Sequence, residues 1–181
     1  LKSITIRVIS GCITASADVS SVFIGNEFDI DGTNDWGSPL YFFIKGTNYP
    51  FAVIKNSYGD VLTASGKEWT ASIDTSDIKN SNGKYVDAGT YTIYVVKLAG
   101  GVSVNQISDI ANLDNAGLVS AYTTVSVAFK QPFIIITSAP EVLVQGEKLE
   151  VSGTAEGDPY DVQYYLFGTN YFRFGYAPVV N

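Results

Sequence analysis

Asp29 and Asp31 stand two residues apart in the segment Glu27-Phe28-Asp29-Ile30-Asp31, and Asn34 and Asp35 follow in the turn just beyond. Residues two apart on a strand project from one face, so this spacing gathers oxygen donors at a strand end. Such donors suit a hard cation, and Asp29, Asp31 and Asp35 are the candidate ligands for calcium. No EF-hand spacing accompanies them, and the same residues equally read as a solvated strand face capped by a turn. The chain contains no His, which excludes Ser-His-Asp and Cys-His catalysis and any His-ligated metal. It has neither a phosphate-cradling Gly-rich loop nor a dinucleotide fingerprint. Asp and Glu are scattered, with no pair singled out for acid–base work. No catalytic residue and no organic cofactor are assigned, and the chain reads as a non-enzyme.

Two further sets of residues invite a binding role. Trp36, Tyr41, Tyr49 and Tyr58 offer flat aromatic faces of the kind that stack on sugars, or that fill a core or a protein contact. Cys12 is the single cysteine, so no internal disulfide forms. Ile9-Ser10-Gly11-Cys12 resembles a lipoprotein attachment box, but Lys2 and Arg7 interrupt the apolar run such a box requires. Burial as a small hydrophobe is the expectation for Cys12, with an intermolecular disulfide as the functional alternative.

The elements that must position these residues are strands. The chain has 181 residues, 46% of them hydrophobic and only 16% charged, and its polar residues favour turns and half-buried strands over helices. A net charge of −7 argues against nucleic acid, which requires clustered cations. No stretch approaches the ~20 apolar residues of a membrane-spanning helix. Period-two alternation marks Lys2-Ser3-Ile4-Thr5-Ile6-Arg7-Val8, the Glu27 to Asp31 segment, Trp69 to Ile73, Thr90 to Val95 and Val119 to Phe129, while Leu40 to Ile44 is a continuous apolar run. Turn signals at Asn34-Asp35, Gly46-Thr47-Asn48, Tyr58-Gly59-Asp60 and Asn82-Gly83 separate them. The spacing of Ile107, Ile110, Ala111 and Leu113 predicts a short helix over 105–113, inserted between two strands and stopped by Gly117.

The chain also repeats itself. Phe23-Ile24-Gly25-Asn26-Glu27-Phe28-Asp29-Ile30-Asp31-Gly32-Thr33 aligns with Val144-Gln145-Gly146-Glu147-Lys148-Leu149-Glu150-Val151-Ser152-Gly153-Thr154, and Phe42-Phe43-Ile44-Lys45-Gly46-Thr47-Asn48-Tyr49 with Tyr164-Tyr165-Leu166-Phe167-Gly168-Thr169-Asn170-Tyr171. Blocks in the same order indicate a duplicated unit. The boundary falls at Lys130-Gln131-Pro132, giving domains 1–130 and 131–181. The second copy has no counterpart of the first beyond Pro50. A half sandwich leaves an apolar face and unpaired edges, which further repeats or a neighbouring molecule would cover.

Asp87-Ala88-Gly89-Thr90-Tyr91-Thr92-Ile93 reads as D-x-G-x-Y-x-apolar. In immunoglobulin sandwiches this pattern opens the strand whose Tyr hydroxyl returns to nearby backbone, which assigns structural roles to Asp87, Gly89 and Tyr91. The expected fold is all-β, with tandem immunoglobulin-like β-sandwiches, the second incomplete.

Asp87-Ala88-Gly89-Thr90-Tyr91-Thr92-Ile93-Tyr94-Val95-Val96, Lys130-Gln131-Pro132-Phe133, Gly153-Thr154-Ala155-Glu156-Gly157 and Leu166-Phe167-Gly168-Thr169-Asn170-Tyr171-Phe172, in that order, resemble repeat blocks in surface-layer and sheath-type proteins of methanogenic archaea. The resemblance implies a secreted, extracellular structural protein of the cell envelope that self-associates into an array or filament and carries no catalytic residues. It departs from those proteins in its truncated second copy and in having no Asn-x-Ser/Thr sequon. A cell-surface adhesive or carbohydrate-binding module, in contact with glycan or cell wall, is the alternative, and a subunit completed by a donated strand is a third reading.

Overall fold

A computed structural model of the protein describes residues 11–46, 48–79, 83 and 86–180. The expected strand from Lys2 to Val8, the first half of the Ile9-Ser10-Gly11-Cys12 box, and Thr47 and Asn82 of two turns lie outside the described residues. The chain is all-β, and its only helical segments among the described residues are two short 3-10 turns. It divides into two compact units, Leu1–Lys130 and Gln131–Asn181.

In the first unit β1 (Ser16–Ala17), β3 (Glu27–Thr33) and β7 (Glu68–Asp74) form one sheet in the order β1-β3-β7. The other sheet runs β2-β9-β8-β4-β5, from β2 (Ser21–Phe23), β9 (Val119–Lys130), β8 (Gly89–Leu98), β4 (Leu40–Gly46) and β5 (Tyr49–Val53), with β6 (Thr63–Ala64) also paired to β4. All pairings are antiparallel except β2 on β9, which is parallel.

Alternation explains which side chains meet between the sheets. β3 turns Phe28 and Ile30 inward, β7 turns Trp69, Ala71 and Ile73, and they share one core with Phe42, Ile44, Tyr91, Ile93, Val95, Val127 and Phe129. Phe42 meets Trp69 edge-on at 5.7 Å and Phe28 meets Phe129 at 6.1 Å, so aromatic rings tie the two layers together. Each side chain fully buried in this way contributes roughly 1.5–3 kcal/mol, offset by the entropy of ordering the chain.

The continuous apolar run of β4 is covered on both faces. Phe42 and Ile44 enter the core between the sheets, whereas Phe43 belongs to a second cluster with Val96, Leu98, Ile107, Leu113 and Val119. The connection from β8 to β9 lies over this outer face and supplies Ile107 and Leu113 to it.

That connection corrects the expected helix. In place of one helix over 105–113 there are two 3-10 turns, Val104–Gln106 and Ile110–Asp114. The Asn112 side chain accepts from the Ser108 and Asp109 backbone, and Asp109 accepts from Ala111 N. These local bonds compete with a continuous helical ladder. The stop is Asn115, whose side chain accepts from Gly117 N at 2.9 Å, rather than Gly117 itself.

In the second unit β10 (Phe133–Ser138) pairs antiparallel with β11 (Ser152–Glu156), and β12 (Asp161–Gly168) with β13 (Tyr171–Pro178). They make two separate two-stranded sheets. None of the described residues after Lys130 is buried.

Candidate functional site

The sequence-predicted residues do not converge on one site. Asp29 accepts a short hydrogen bond from Ser72 Oγ across the β3–β7 pair, and its backbone N–H donates to Asp18. Asp31 lines an open groove with Thr14, Glu68 and Trp69. Asp35 accepts from the backbone N–H of Cys12 at 2.9 Å. Asn34, grouped with them by sequence, is buried; its Oδ1 accepts from Trp36 N and its Nδ2 donates to Ser38 O. No three His, Cys, Asp or Glu side chains form a metal-binding group among the described residues. Asn34 braces the turn entering β4, a different task from ligation.

The aromatic set separates in the same way. Tyr49 is buried and its hydroxyl donates to Lys79 O, while Tyr41 packs on the outer cluster around Phe43. Trp36 is exposed, its ring close over Gly11 and Lys97 Nζ 5.0 Å from its centre. Tyr58 is exposed in the turn after β5.

Cys12 is exposed, contrary to the expected burial. Ile13 beside it takes the core position, so period-two geometry turns Cys12 outward. The neighbouring Asp35 carboxylate favours the protonated thiol and opposes thiolate charge, which raises the Cys12 pKa above the ordinary thiol range. Because the thiolate is the nucleophile, Asp35→Asn should move the pH profile of Cys12 alkylation to lower pH and speed the reaction at pH 8. Equal alkylation profiles for the two proteins would refute the coupling.

Asp87, Gly89 and Tyr91 lie together at the start of β8. The Tyr91 hydroxyl donates to the Asp87 carbonyl at 2.8 Å, and its ring is fully buried, stacked on Phe129 at 4.3 Å. The residue that admits the ring is Gly46 at the end of β4, where a Cβ would collide with the ring of Tyr91. Burial raises the Tyr91 pKa, and the Asp87 charge adds to this. Thr75, for which sequence reasoning proposed no role, is buried; its Oγ1 accepts from Gly25 N and donates to Asn26 O, fastening the β2–β3 turn to the end of β7.

Among the described residues the exposed large apolar side chains are concentrated in the second unit. On one face of the β12–β13 hairpin Tyr165, Phe167, Phe172 and Phe174 form a continuous patch with ring centres 5.2–6.5 Å apart. Phe167 is 74% exposed. Cross-strand partners share a face, so the pairs Tyr165–Phe174 and Phe167–Phe172 explain the patch. The opposite face carries Tyr164, Leu166 and Gly168. On β10, Phe133, Ile134, Ile135 and Ile136 are all exposed.

At aligned positions the two units share backbone detail. Ile13 faces Asn34, and Ile134 faces Ala155, each partner 121 positions further on. A side chain at Gly32 would strike the Thr14 carbonyl, and one at Gly153 would strike the carbonyl of Ile135. Gly25 and Gly146 have φ of 105° and 98°, and Asn48 and Asn170 have 59° and 57°. Gly46 pairs with Tyr49 as Gly168 pairs with Tyr171. Comparison with family models, curated proteins and solved structures finds no match for this chain.

Proposed function

We propose that the chain is a structural, self-assembling protein of an extracellular cell envelope, built of immunoglobulin-like units, whose second unit supplies the assembly surface. The observation that carries this reading is the contrast between the two units. Phe42, Phe43 and Ile44 are wholly buried, whereas the aligned Tyr164, Tyr165 and Leu166 are 46%, 54% and 39% exposed. Contiguous apolar surface of this extent marks an interaction site rather than a resting surface.

Three features favour the immunoglobulin-like architecture. The sheets β1-β3-β7 and β2-β9-β8-β4-β5 follow the A-B-E and A′-G-F-C-C′ order of such sandwiches. The first strand is divided between the sheets, β1 on β3 and the parallel β2 on β9. Tyr91 bonds back to Asp87 as a tyrosine corner does. The matched glycine and asparagine geometries favour a duplicated unit, with β10 to β13 standing for A, B, C and C′. The envelope setting rests on the resemblance of the repeat blocks to archaeal surface-layer and sheath proteins.

Analytical ultracentrifugation over a wide concentration range, with electron microscopy of the concentrated sample, tests the proposal. Concentration-dependent growth into filaments or sheets is expected. A chain that stays a compact monomer at high concentration refutes it.

A further inference from the structure

We infer that β12 is the acceptor for one added β-strand of the pattern D-x-G-x-Y-x-apolar, whose tyrosine ring seats on Gly168. The argument starts from Gly46. That glycine ends β4, and a Cβ there would collide with the Tyr91 ring, so the absence of a side chain makes the seat. Tyr91 comes from β8, which lies antiparallel to β4 with Gly46 directly opposite Tyr91. Gly168 ends β12 at the aligned position, inside the same Gly-Thr-Asn-Tyr sequence. Its φ lies outside the left-handed region that demands glycine. Among the described residues only Tyr171 Cβ, at 3.5 Å, comes within 4 Å of where a Gly168 Cβ would stand. Nothing in the free hairpin therefore calls for glycine, whereas a ring arriving as Tyr91 does on Gly46 would.

The surroundings fit the same visitor. Among the described residues β12 is hydrogen-bonded to β13 along one edge only, while β4 holds β5 on one edge and β8 on the other. A β8-like strand would thus pair with the free edge of β12 and lay its tyrosine across Gly168 toward Tyr171, as Tyr91 meets Tyr49 at 6.2 Å. Main-chain hydrogen bonds supply the affinity of such strand addition, and side-chain seats supply the selectivity. A folded copy of this chain cannot lend its own β8, which is hydrogen-bonded on both edges, to β4 and β9. The donor must therefore bring a free edge of its own, and on the assembly reading it belongs to a neighbouring polypeptide. In placing the donor there the inference rests on the assembly reading; the seat itself rests only on the alignment of the two units.

The test uses the full chain and a fluorescein-labelled synthetic peptide of its own residues 87–98, followed by anisotropy below the concentration at which the chain self-associates. The expected result is saturable binding. It should weaken about tenfold or more, at least 1.4 kcal/mol, for a peptide carrying Tyr91→Ala and again for the Gly168→Ala protein. Gly168→Ala leaves the hairpin itself unstrained, and unchanged hydrogen exchange of β13 checks this. Absence of saturable binding, or equal affinity for wild-type and Gly168→Ala proteins, overturns the inference. Chains that polymerise but ignore the peptide remove this inference and leave the assembly reading standing; chains that bind it selectively but never associate do the reverse.

Discussion

Tyr91→Ala should cost the first unit about 3–5 kcal/mol, the usual price of emptying a large aromatic site in a packed core. Such a loss is comparable with the whole stability of many domains, about 5–15 kcal/mol. The ring fills the space above Gly46, stacks on Phe129 and meets Tyr49 edge-on. Gly46 has no side chain with which to close the cavity. Tyr91→Phe keeps the ring and loses only the hydroxyl bond to Asp87, so about 1 kcal/mol is expected. Both tryptophans, Trp36 and Trp69, belong to the first unit, so urea unfolding followed by tryptophan fluorescence reads that unit alone. Equal losses for the two variants would show that the buried ring contributes nothing.

The same hydroxyl makes a pH prediction. Burial raises the folded-state pKa of Tyr91 above the unfolded value, so above about pH 10 the unfolded chain gives up a proton that the folded chain retains. The stabilising contribution is complete below the unfolded pKa and declines as pH climbs through the folded one. Tyr91→Phe should therefore lose less stability than the parent between neutral and strongly alkaline pH. Part of the alkaline loss remains, because burial raises the Tyr49 pKa as well.

Strands β3, β4, β7, β8 and β9 were legible because each runs long enough for alternation, or an unbroken apolar stretch, to declare itself. The two- and three-residue β1, β2 and β6 carry no period, and nothing local announces that β2 lies parallel to β9. Thr75 and Asn34 look like ordinary turn residues; their burial is a tertiary fact, created when the loops close over them. The spacing over 105–113 suggested one helix from Ile107, Ile110, Ala111 and Leu113, of which only Ile107 and Leu113 are buried. It could not weigh Asp109 and Asn112, whose side chains bond the backbone locally and break the segment into two turns. Asp29, Asp31 and Asp35 illustrate the limit of spacing as evidence for a site. Strand parity places the first two on one face, but the actual partners, Ser72 and the Cys12 backbone N–H, are set by neighbouring strands. The D-x-G-x-Y block and the repeated Gly-Thr-Asn-Tyr were both visible, though their meeting at Gly46 was not, since β4 and β8 are 43 to 58 residues apart in sequence yet adjacent in the sheet.

Removal of residues 131–181 should leave the thermal midpoint of the first unit unchanged and abolish self-association. Every residue of its two apolar clusters precedes Lys130, so the truncated chain keeps both intact. The cut at Lys130 also spares the outermost contact of the sheet, because Phe23 pairs with Lys130 and Ile24 N donates to the Lys130 carbonyl at 2.8 Å. What goes is most of the exposed apolar surface among the described residues. Covering Tyr165, Phe167, Phe172 and Phe174 removes on the order of 100 Å² from water for each ring, about 2.5 kcal/mol apiece. Association itself costs about 4–15 kcal/mol. The four rings alone therefore stand near balance, and in the proposed assembly the exposed isoleucines of β10 would tip it toward association. Sedimentation of the full and truncated chains at equal concentration decides the matter: association that persists without residues 131–181 would move the assembly surface to the first unit.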